Sequence, residues 1–329
     1  MHRSLGLLGI VIMVLAGIAV AAERRAAFTD PEQAGPDYAV QGEYVGKVKT
    51  DEGELQYGAQ IIALGGGKFR AVGYPGGLPG AGWDPQEEKI TAEGEFKDGE
   101  VVFVLPEGGR RAIIKQGTIT VHEPDGTTVA TFKKVHRQSP TLGQKPPAGA
   151  VVLFDGTSPD KFQGGRMTPD GLLMEGATSK QKFGSFTLHL EFRTPFQPYA
   201  RGQGRGNSGF YAQGRYEVQI LDSFGLEGAI NECGAIYGVR KPTVNMCLPP
   251  LAWQTYDVDF TAAVYKDGKL VRPARMTVRH NGVLIHEDVD VPGTTVGAPV
   301  RQGEEKGPIF LQNHGDPVRF RNIWVLEKK

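Results

Sequence analysis

An excess of either charge is what this sequence lacks first. Lysine plus arginine and aspartate plus glutamate number 37 each, so the formal net charge is zero. A nucleic-acid partner calls for a basic surplus to neutralise phosphates, and none is present. Cysteine is nearly missing, with two in 329 residues, which excludes a disulfide-dense scaffold and a thiolate-rich zinc site. The two, Cys233 and Cys247, both fall in the C-terminal half. In an oxidising compartment a single pair at this spacing reads most simply as one disulfide, closing a loop of about 15 residues and worth about 3 kcal/mol. A nucleophilic cysteine is the rival reading. Helical periodicity of useful length is also missing, and no stretch beyond the N-terminus is apolar enough to span a bilayer.

At the N-terminus stand His2 and Arg3, an apolar run over 5–20, and Ala19-Val20-Ala21 ahead of Glu23-Arg24-Arg25. A short basic end, an apolar stretch and small residues at a cleavable site predict a signal peptide over 1–22. The expected mature protein is periplasmic or secreted, with no stable membrane insertion. An uncleaved anchor is the alternative, weakened by Gly6, Gly9 and Gly17. No cysteine lies near the cleavage region, so a lipoprotein anchor is excluded.

What is abundant is glycine (46) and proline (22), spread between short apolar runs as turns rather than as disordered tracts. β-like runs at 42–48, 56–64, 68–73, 90–96, 100–104, 111–116, 117–122 and 127–135 make a small β-rich module over 40–136. Lys97-Asp98-Gly99 and Pro124-Asp125-Gly126 read as hairpin turns within it. Residues 137–149, with Pro140, Pro146 and Pro147, read as a linker. Strand-like runs recur through 150–329, where His280-Asn281-Gly282 is a strong hairpin signal. Run 185–193 alternates Phe186, Leu188, Leu190 and Phe192 against Thr187, His189, Glu191 and Arg193, predicting a half-buried antiparallel strand with one polar face. The chain is therefore expected to be all-β, with a β-sandwich in its second half.

Six landmarks in order give that half a resemblance: Leu153-Phe154-Asp155-Gly156-Thr157; Gly206-Asn207-Ser208-Gly209-Phe210-Tyr211; Gly214-Arg215-Tyr216-Glu217-Val218-Gln219-Ile220-Leu221-Asp222; Cys233-Gly234-Ala235-Ile236-Tyr237-Gly238; Trp253-Gln254-Thr255-Tyr256-Asp257; and Leu311-Gln312-Asn313-His314-Gly315. Together they resemble the 3-keto-disaccharide hydrolase family over about 150–328. The resemblance implies a concanavalin-like jelly roll, usually exported, that cleaves glycosidic bonds of sugars oxidised at carbon 3. It does not extend to the N-terminal module, and fold and site can diverge.

Period two places Glu217 and Gln219 on one face of their strand and Val218 and Ile220 on the other. Glu217 is the leading catalytic candidate, against a role in orienting Arg215 or a sugar hydroxyl. Laminarinase-type sandwiches carry Glu-x-Asp-x-Glu on such a strand. Here Glu217, Gln219 and Asp222 match its longer form, with the middle acid replaced, which puts a copied double displacement in doubt. Asp222 is either catalytic or the cap of a turn. His314 acts as acid/base, ligand or sugar contact in the reading the resemblance favours, and is otherwise a solvated loop histidine. Asn207, Arg215, Gln219, Tyr211 and Arg319 are the substrate-binding candidates, with Tyr237 and Arg321 beside them. Turn formation, sheet packing and cross-strand ion pairs are their bland alternatives. A divalent ion stays open, since Glu217, Asp222, His314 and Glu191 offer suitable donors, but no local motif such as His-x-x-x-His joins them. The expected partner is an oligosaccharide or keto-sugar. A non-catalytic carbohydrate-binding sandwich is the competing function, and in the first module Trp83 and Tyr74 are placed to touch glycan.

Overall fold

The computed structural model describes residues 26–50, 53–106 and 108–328. The expected signal peptide, 1–22, lies outside them. The first unit is a closed antiparallel barrel of eight strands: β1 (Gly42–Thr50), β2 (Gly53–Gly65), β3 (Lys68–Pro75), β6 (Ile90–Lys97), β7 (Glu100–Val104), β8 (Arg111–Lys115), β9 (Thr118–His122) and β10 (Thr128–Val135). A short parallel pair, β4 (Leu78–Pro79) and β5 (Gly82–Trp83), sits in the long connection before β6. Each strand pairs with the next, and β10 returns to β1 with Glu43 opposite Val135 and Val48 opposite Ala130. Asp98 and Gly99, both at positive φ (52° and 87°), make the tight β6–β7 hairpin. A short helix, α1 (Gly35–Val40), lies at one end of the barrel. Its Tyr38 meets Phe196 edge-on at 5.3 Å, and both join the barrel's apolar cluster with Leu251.

The second unit is a sandwich of two antiparallel sheets. One runs β11 (Val151–Phe154), β24 (Arg319–Glu327), β15 (Phe186–Arg193), β18 (Gln254–Thr261), β21 (Ala274–His280) and β22 (Val283–Val291), with β13 (Leu173–Met174) also on β24. The other runs β12 (Phe162–Gln163), β14 (Ala177–Phe183), β23 (Gly307–Leu311), β16 (Ser208–Ala212) and β17 (Tyr216–Ile220). A small ribbon, β19 (Val264–Lys266) and β20 (Lys269–Arg272), stands apart. Asn281 and Gly282, at φ 51° and 79°, turn β21 into β22. Phe186, Leu188, Leu190 and Phe192 fill the space between the sheets with Phe210, Val218 and Ile220 from the other side. Each such side chain taken out of water contributes about 1.5–3 kcal/mol.

The polar face of β15 departs from expectation, because His189 and Glu191 are buried as completely as the apolar face. The cause is the Pro-rich stretch, which is laid along this sheet. Thr141 donates to Asp257 Oδ2 (2.7 Å), the Gly143 amide donates to Glu191 Oε1 (2.6 Å), and Trp324 Nε1 donates to Gln144 O (3.2 Å). Glu191 also accepts from Arg321 Nε (2.6 Å) and Asn322 Nδ2 (2.9 Å), while His189 stands between Glu191 (3.5 Å) and Asp257 (2.6 Å). Farther up the chain, Arg137 grips the buried Glu43 of β1. The barrel's outer wall completes the sandwich: Ile62, Val72 and Tyr74 belong to the sandwich core. Ile62 lies so close to Gly225 that a Cβ there would meet it at 2.4 Å.

The expected disulfide is absent. Cys233 and Cys247 are buried free thiols, lying side by side in the core. Each has another partner: Cys233 Sγ is 3.3 Å from the Tyr256 hydroxyl, and Cys247 Sγ donates to the Leu221 and Leu248 carbonyls at 3.5 Å. Burial holds the Cys247 thiol well above its ordinary range, which makes it unreactive. Alkylation without reductant is expected to label both cysteines in denaturant and neither in the native protein, read by mass spectrometry.

Burial alone would raise the Glu191 carboxyl, but its hydrogen bonds outweigh burial and bring it from 4.5 to about 2. For His189, burial pulls the pKa down, and the two carboxylates more than reverse this and raise it above 6.5. Glu191 therefore stabilises the fold above pH 4.5, and the contribution is lost as pH falls towards 2. His189 contributes fully below pH 6.5 and loses its contribution as pH rises through its raised value. Glu191→Ala leaves Arg321 without its carboxylate and His189 with Asp257 alone, and is expected to cost about 3–5 kcal/mol. Urea unfolding between pH 3 and pH 8 checks this, and the wild-type margin over the variant should peak between 4.5 and 6.5.

Candidate active site

Strands β16 and β17 form a hairpin turned by Gln213 and Gly214, both at positive φ (53° and 63°). Its register sets Tyr211 opposite Glu217 and Gly209 opposite Gln219. Phe210, Val218 and Ile220 face the core, so Gly209, Tyr211, Glu217 and Gln219 share the face turned away from it. The Glu217 carboxylate lies directly over Gly209, where a Cβ would come within 2.2 Å of Oε1 and 2.9 Å of the Tyr211 ring. Glycine is needed at 209 for space.

The edge of β17 is continued by other segments. The Glu217 amide donates to Thr295 Oγ1 (3.0 Å), the Tyr237 amide to the Glu217 carbonyl (3.1 Å), and the Gln219 amide to the Ala235 carbonyl (2.9 Å). Gln312, just after β23, donates its amide to Gly209 O (2.9 Å) and its side chain to the Tyr211 hydroxyl (3.0 Å). Phe310 packs on the Tyr211 ring at 5.3 Å. Beyond Gln219, Gln203 accepts from Gln219 Nε2 (3.0 Å) and from Asn207 Nδ2 through its carbonyl (2.7 Å). Asn207 Oδ1 is buried without a hydrogen-bond partner among the described residues. Glu217 itself is 3 % exposed. Burial is the main cause that pushes its carboxyl up to about 8, with the Tyr211 hydroxyl pulling slightly back. Burial, and then the Glu217 charge, push the Tyr211 hydroxyl above its ordinary range.

Glu217, Gln219, Tyr211 and Asn207 thus come together, joined by Gln203, Gln312 and Thr295. Asp222, Arg215 and Arg319 do not. Asp222 is fully buried at the end of the hairpin, where Arg205 Nε donates to it (2.6 Å) and the Phe224 amide closes a turn on it (3.3 Å). It borders a small cavity shared with Ile62 of the barrel and is held in an internal ion pair and a turn cap. Arg215 is buried and spent on the Arg301 and Glu305 carbonyls and on Gln213, tethering the loop that follows β22. Arg319 lies on the other sheet and pairs with Glu175 (2.7 Å). Arg321 is there too, stacked 4.0 Å from the Trp253 ring while it holds Glu191. His314 is exposed on the loop after β23, two residues past Gln312. That loop is latched by Asp316, which accepts from Gln197 (2.7 Å) and from the Asn207 amide (2.7 Å). Glu191 and Asp222 thus lie apart from the Glu217 face, while His314 stands on the loop whose start Gln312 ties to Tyr211. Among the described residues no group of three or more His, Cys, Asp or Glu is placed to hold an ion. In the first unit, Tyr74 is buried and donates to Gln60 (2.7 Å), and Trp83 is half-buried, edge-on against Tyr74 at 5.1 Å with Lys89 over its ring.

The family model of the 3-keto-alpha-glucoside-1,2-lyase-like domain matches residues 149–326, more than half of the chain. The chain belongs to that family. Among solved structures it is similar to a "putative glycosyl hydrolase" from Parabacteroides distasonis ATCC 8503, with 34% sequence identity, a TM-score of 0.50, and coverage of 55% of this chain and 85% of that one. A second protein of the same description and organism aligns at 18% identity and a TM-score of 0.41, over 55% of this chain and 95% of the other. No curated protein matches the chain. Family and first neighbour together support a glycoside-related function for the sandwich.

Gly209→Ala drives a methyl group into the Glu217 carboxylate and the Tyr211 ring. We expect it to lower activity on the eventual substrate by about 10²-fold, the effect of misplacing a reacting group by roughly an ångström. Circular dichroism should show an intact fold.

Proposed function

We propose that this chain cleaves the glycosidic bond of 3-keto-glycosides, with Glu217 donating a proton to the departing glycosidic oxygen. The observation that carries the reading is a buried carboxyl raised to about 8 on the family domain's polar face. At neutral pH such a group holds its proton, as a general acid must. The ketone at carbon 3 acidifies the hydrogen at carbon 2. Removing that proton gives an enolate, which expels the oxygen from carbon 1. Glu217 protonates this oxygen as it leaves, and water adds to the resulting enone, so that the net reaction is hydrolysis. His314 is the base in this reading, presented on the loop that Gln312 ties to Tyr211. Gln203, Asn207, Gln219 and Gln312 supply neutral amides for sugar hydroxyls and for the developing enolate oxygen. The N-terminal apolar run sends the chain to work outside the cytoplasm.

Product analysis by mass spectrometry on matched native and 3-keto disaccharides tests the substrate. Cleavage should be confined to the keto sugar. Glu217→Gln should lower kcat/KM on the keto disaccharide by about 10²–10⁴-fold. It should lose far less on a 4-nitrophenyl 3-keto-glucoside, whose leaving group needs no proton. An equal loss on both substrates would make Glu217 the base. The acid role also requires kcat/KM on the disaccharide to fall as pH rises through about 8, as the carboxyl gives up its proton.

One observation favours a second reading, carbohydrate binding without cleavage: the face around Glu217 is built from amides rather than a second carboxylate. Retained binding of the keto disaccharide with no product would establish it.

A further inference from the structure

The barrel lies outside the family match, and its interior is not filled. An eight-stranded barrel is just wide enough for its own side chains to fill it, or to hold one small ligand when they do not. Here the inward positions at the waist are alanine on five of the eight strands: Ala59, Ala71, Ala92, Ala112 and Ala130. The rings of Phe103 and Phe132 form part of the wall, and Ile61 and Ile119 lie deeper. The result is a cavity of about 150 Å³. Protein interiors are normally packed to crystal density, so a void of this size at the centre of a regular barrel calls for an occupant.

The two ends differ. One carries α1, with Tyr38, Phe196 and Leu251 packed into the barrel's apolar cluster. At the other, the half-buried Val48, Tyr57, Leu105 and Val129 ring the opening, and Leu55 and Ile90 are exposed at 43% and 38% beside it. The lining's charged group is Arg110 at this opening, paired with Glu123 at 2.7 Å. An apolar lip leading into an apolar chamber admits a molecule without polar groups to satisfy.

We propose that the barrel is a binding site for one compact apolar molecule about the size of a single aromatic ring, entering past Leu105 and seated among the waist alanines. A dry cavity of about 150 Å³ lined by aliphatic and aromatic side chains is known to accept benzene. The site is separate from Glu217 and makes no demand on the glycoside chemistry.

The test uses the full mature chain with p-xylene and indole as probes. Saturation-transfer NMR and thermal unfolding are followed in the wild type and in Ala112→Phe, which places a ring in the chamber. The expected result is a rise in Tm with either probe, transfer to the Ile61 and Ile119 methyl groups, and at least about tenfold weaker binding in Ala112→Phe. Ala59→Val, a smaller filling, provides the same comparison if Ala112→Phe fails to fold. No transfer to those methyl groups in the wild type, or equal binding by wild type and a folded filled variant, overturns the proposal. Activity on keto sugars should be the same in the filled variants, so the result is independent of the sandwich's chemistry.

Discussion

A carboxylate sealed away from water has to be given its hydrogen bonds by the protein, and Glu191 is where this demand shapes the molecule. It is 1 % exposed, and its oxygens accept from the Gly143 amide, Arg321 and Asn322, with His189 close by. Those donors come from the Pro-rich stretch, from β24 and from β15 itself. Burying an unsatisfied charge costs several kcal/mol, so the stretch must stay seated for the sheet to hold its charge. With 143 fixed on the sheet and Arg137 fixed on Glu43, the barrel has little freedom against the sandwich. Ile62, Val72 and Tyr74 then finish the sandwich core from the barrel side. The two units are one packed body because a polar face was buried rather than solvated.

The same contrast explains the candidate site. Glu191 and Glu217 are both nearly inaccessible, both on strands of the same sandwich, and both turned away from its core. Glu191 is surrounded by cationic and N–H donors, which bring it to about 2 and keep it ionised. Glu217 has the Tyr211 hydroxyl beside it rather than a guanidinium, so burial dominates and raises it to about 8. One environment holds an ionised anchor and the other a carboxyl that keeps its proton at neutral pH. Position 209 sharpens the difference, because only glycine leaves room for the carboxyl to lie flat against the sheet.

Much of this was legible in the sequence, and what was not has definable causes. All eight barrel strands fall on runs read from alternation and turn chemistry, because each is a local pattern. Closure was not legible, since β1 meets β10 across about ninety residues and no local signal reports it. Strand β14 carries little strand signal, because its sequence, ATSKQKF, is mostly polar and three of its seven residues are exposed. The burial of His189 and Glu191 was hidden because the segment that covers them reads, by composition, as a linker. In the site, the period-two reading put Glu217 and Gln219 on one face. Gln203, Gln312 and Thr295 carried no signal of their own, since amides and hydroxyls in loops are common and only the fold brings these to the hairpin.

The run from Gly214 to Asp222 shows why a family motif does not by itself list catalytic residues. Arg215 holds a loop, while Val218 and Ile220 fill the core and Asp222 closes an ion pair with Arg205. Only Glu217 and Gln219 face the polar side, joined there by Tyr211 from the neighbouring strand. The two faces of a strand obey different constraints, packing on one and chemistry on the other, yet they alternate in a single run of residues. A carboxylate at the end of such a run is as readily a fastening as a catalyst. Asp222 is the case in point: Arg205, which holds it, also approaches the Ala63 carbonyl of β2 at 3.4 Å. What separates it from Glu217 is its partner: the Arg205 guanidinium fastens Asp222 in place, whereas Glu217 has the Tyr211 hydroxyl beside it and is raised by burial.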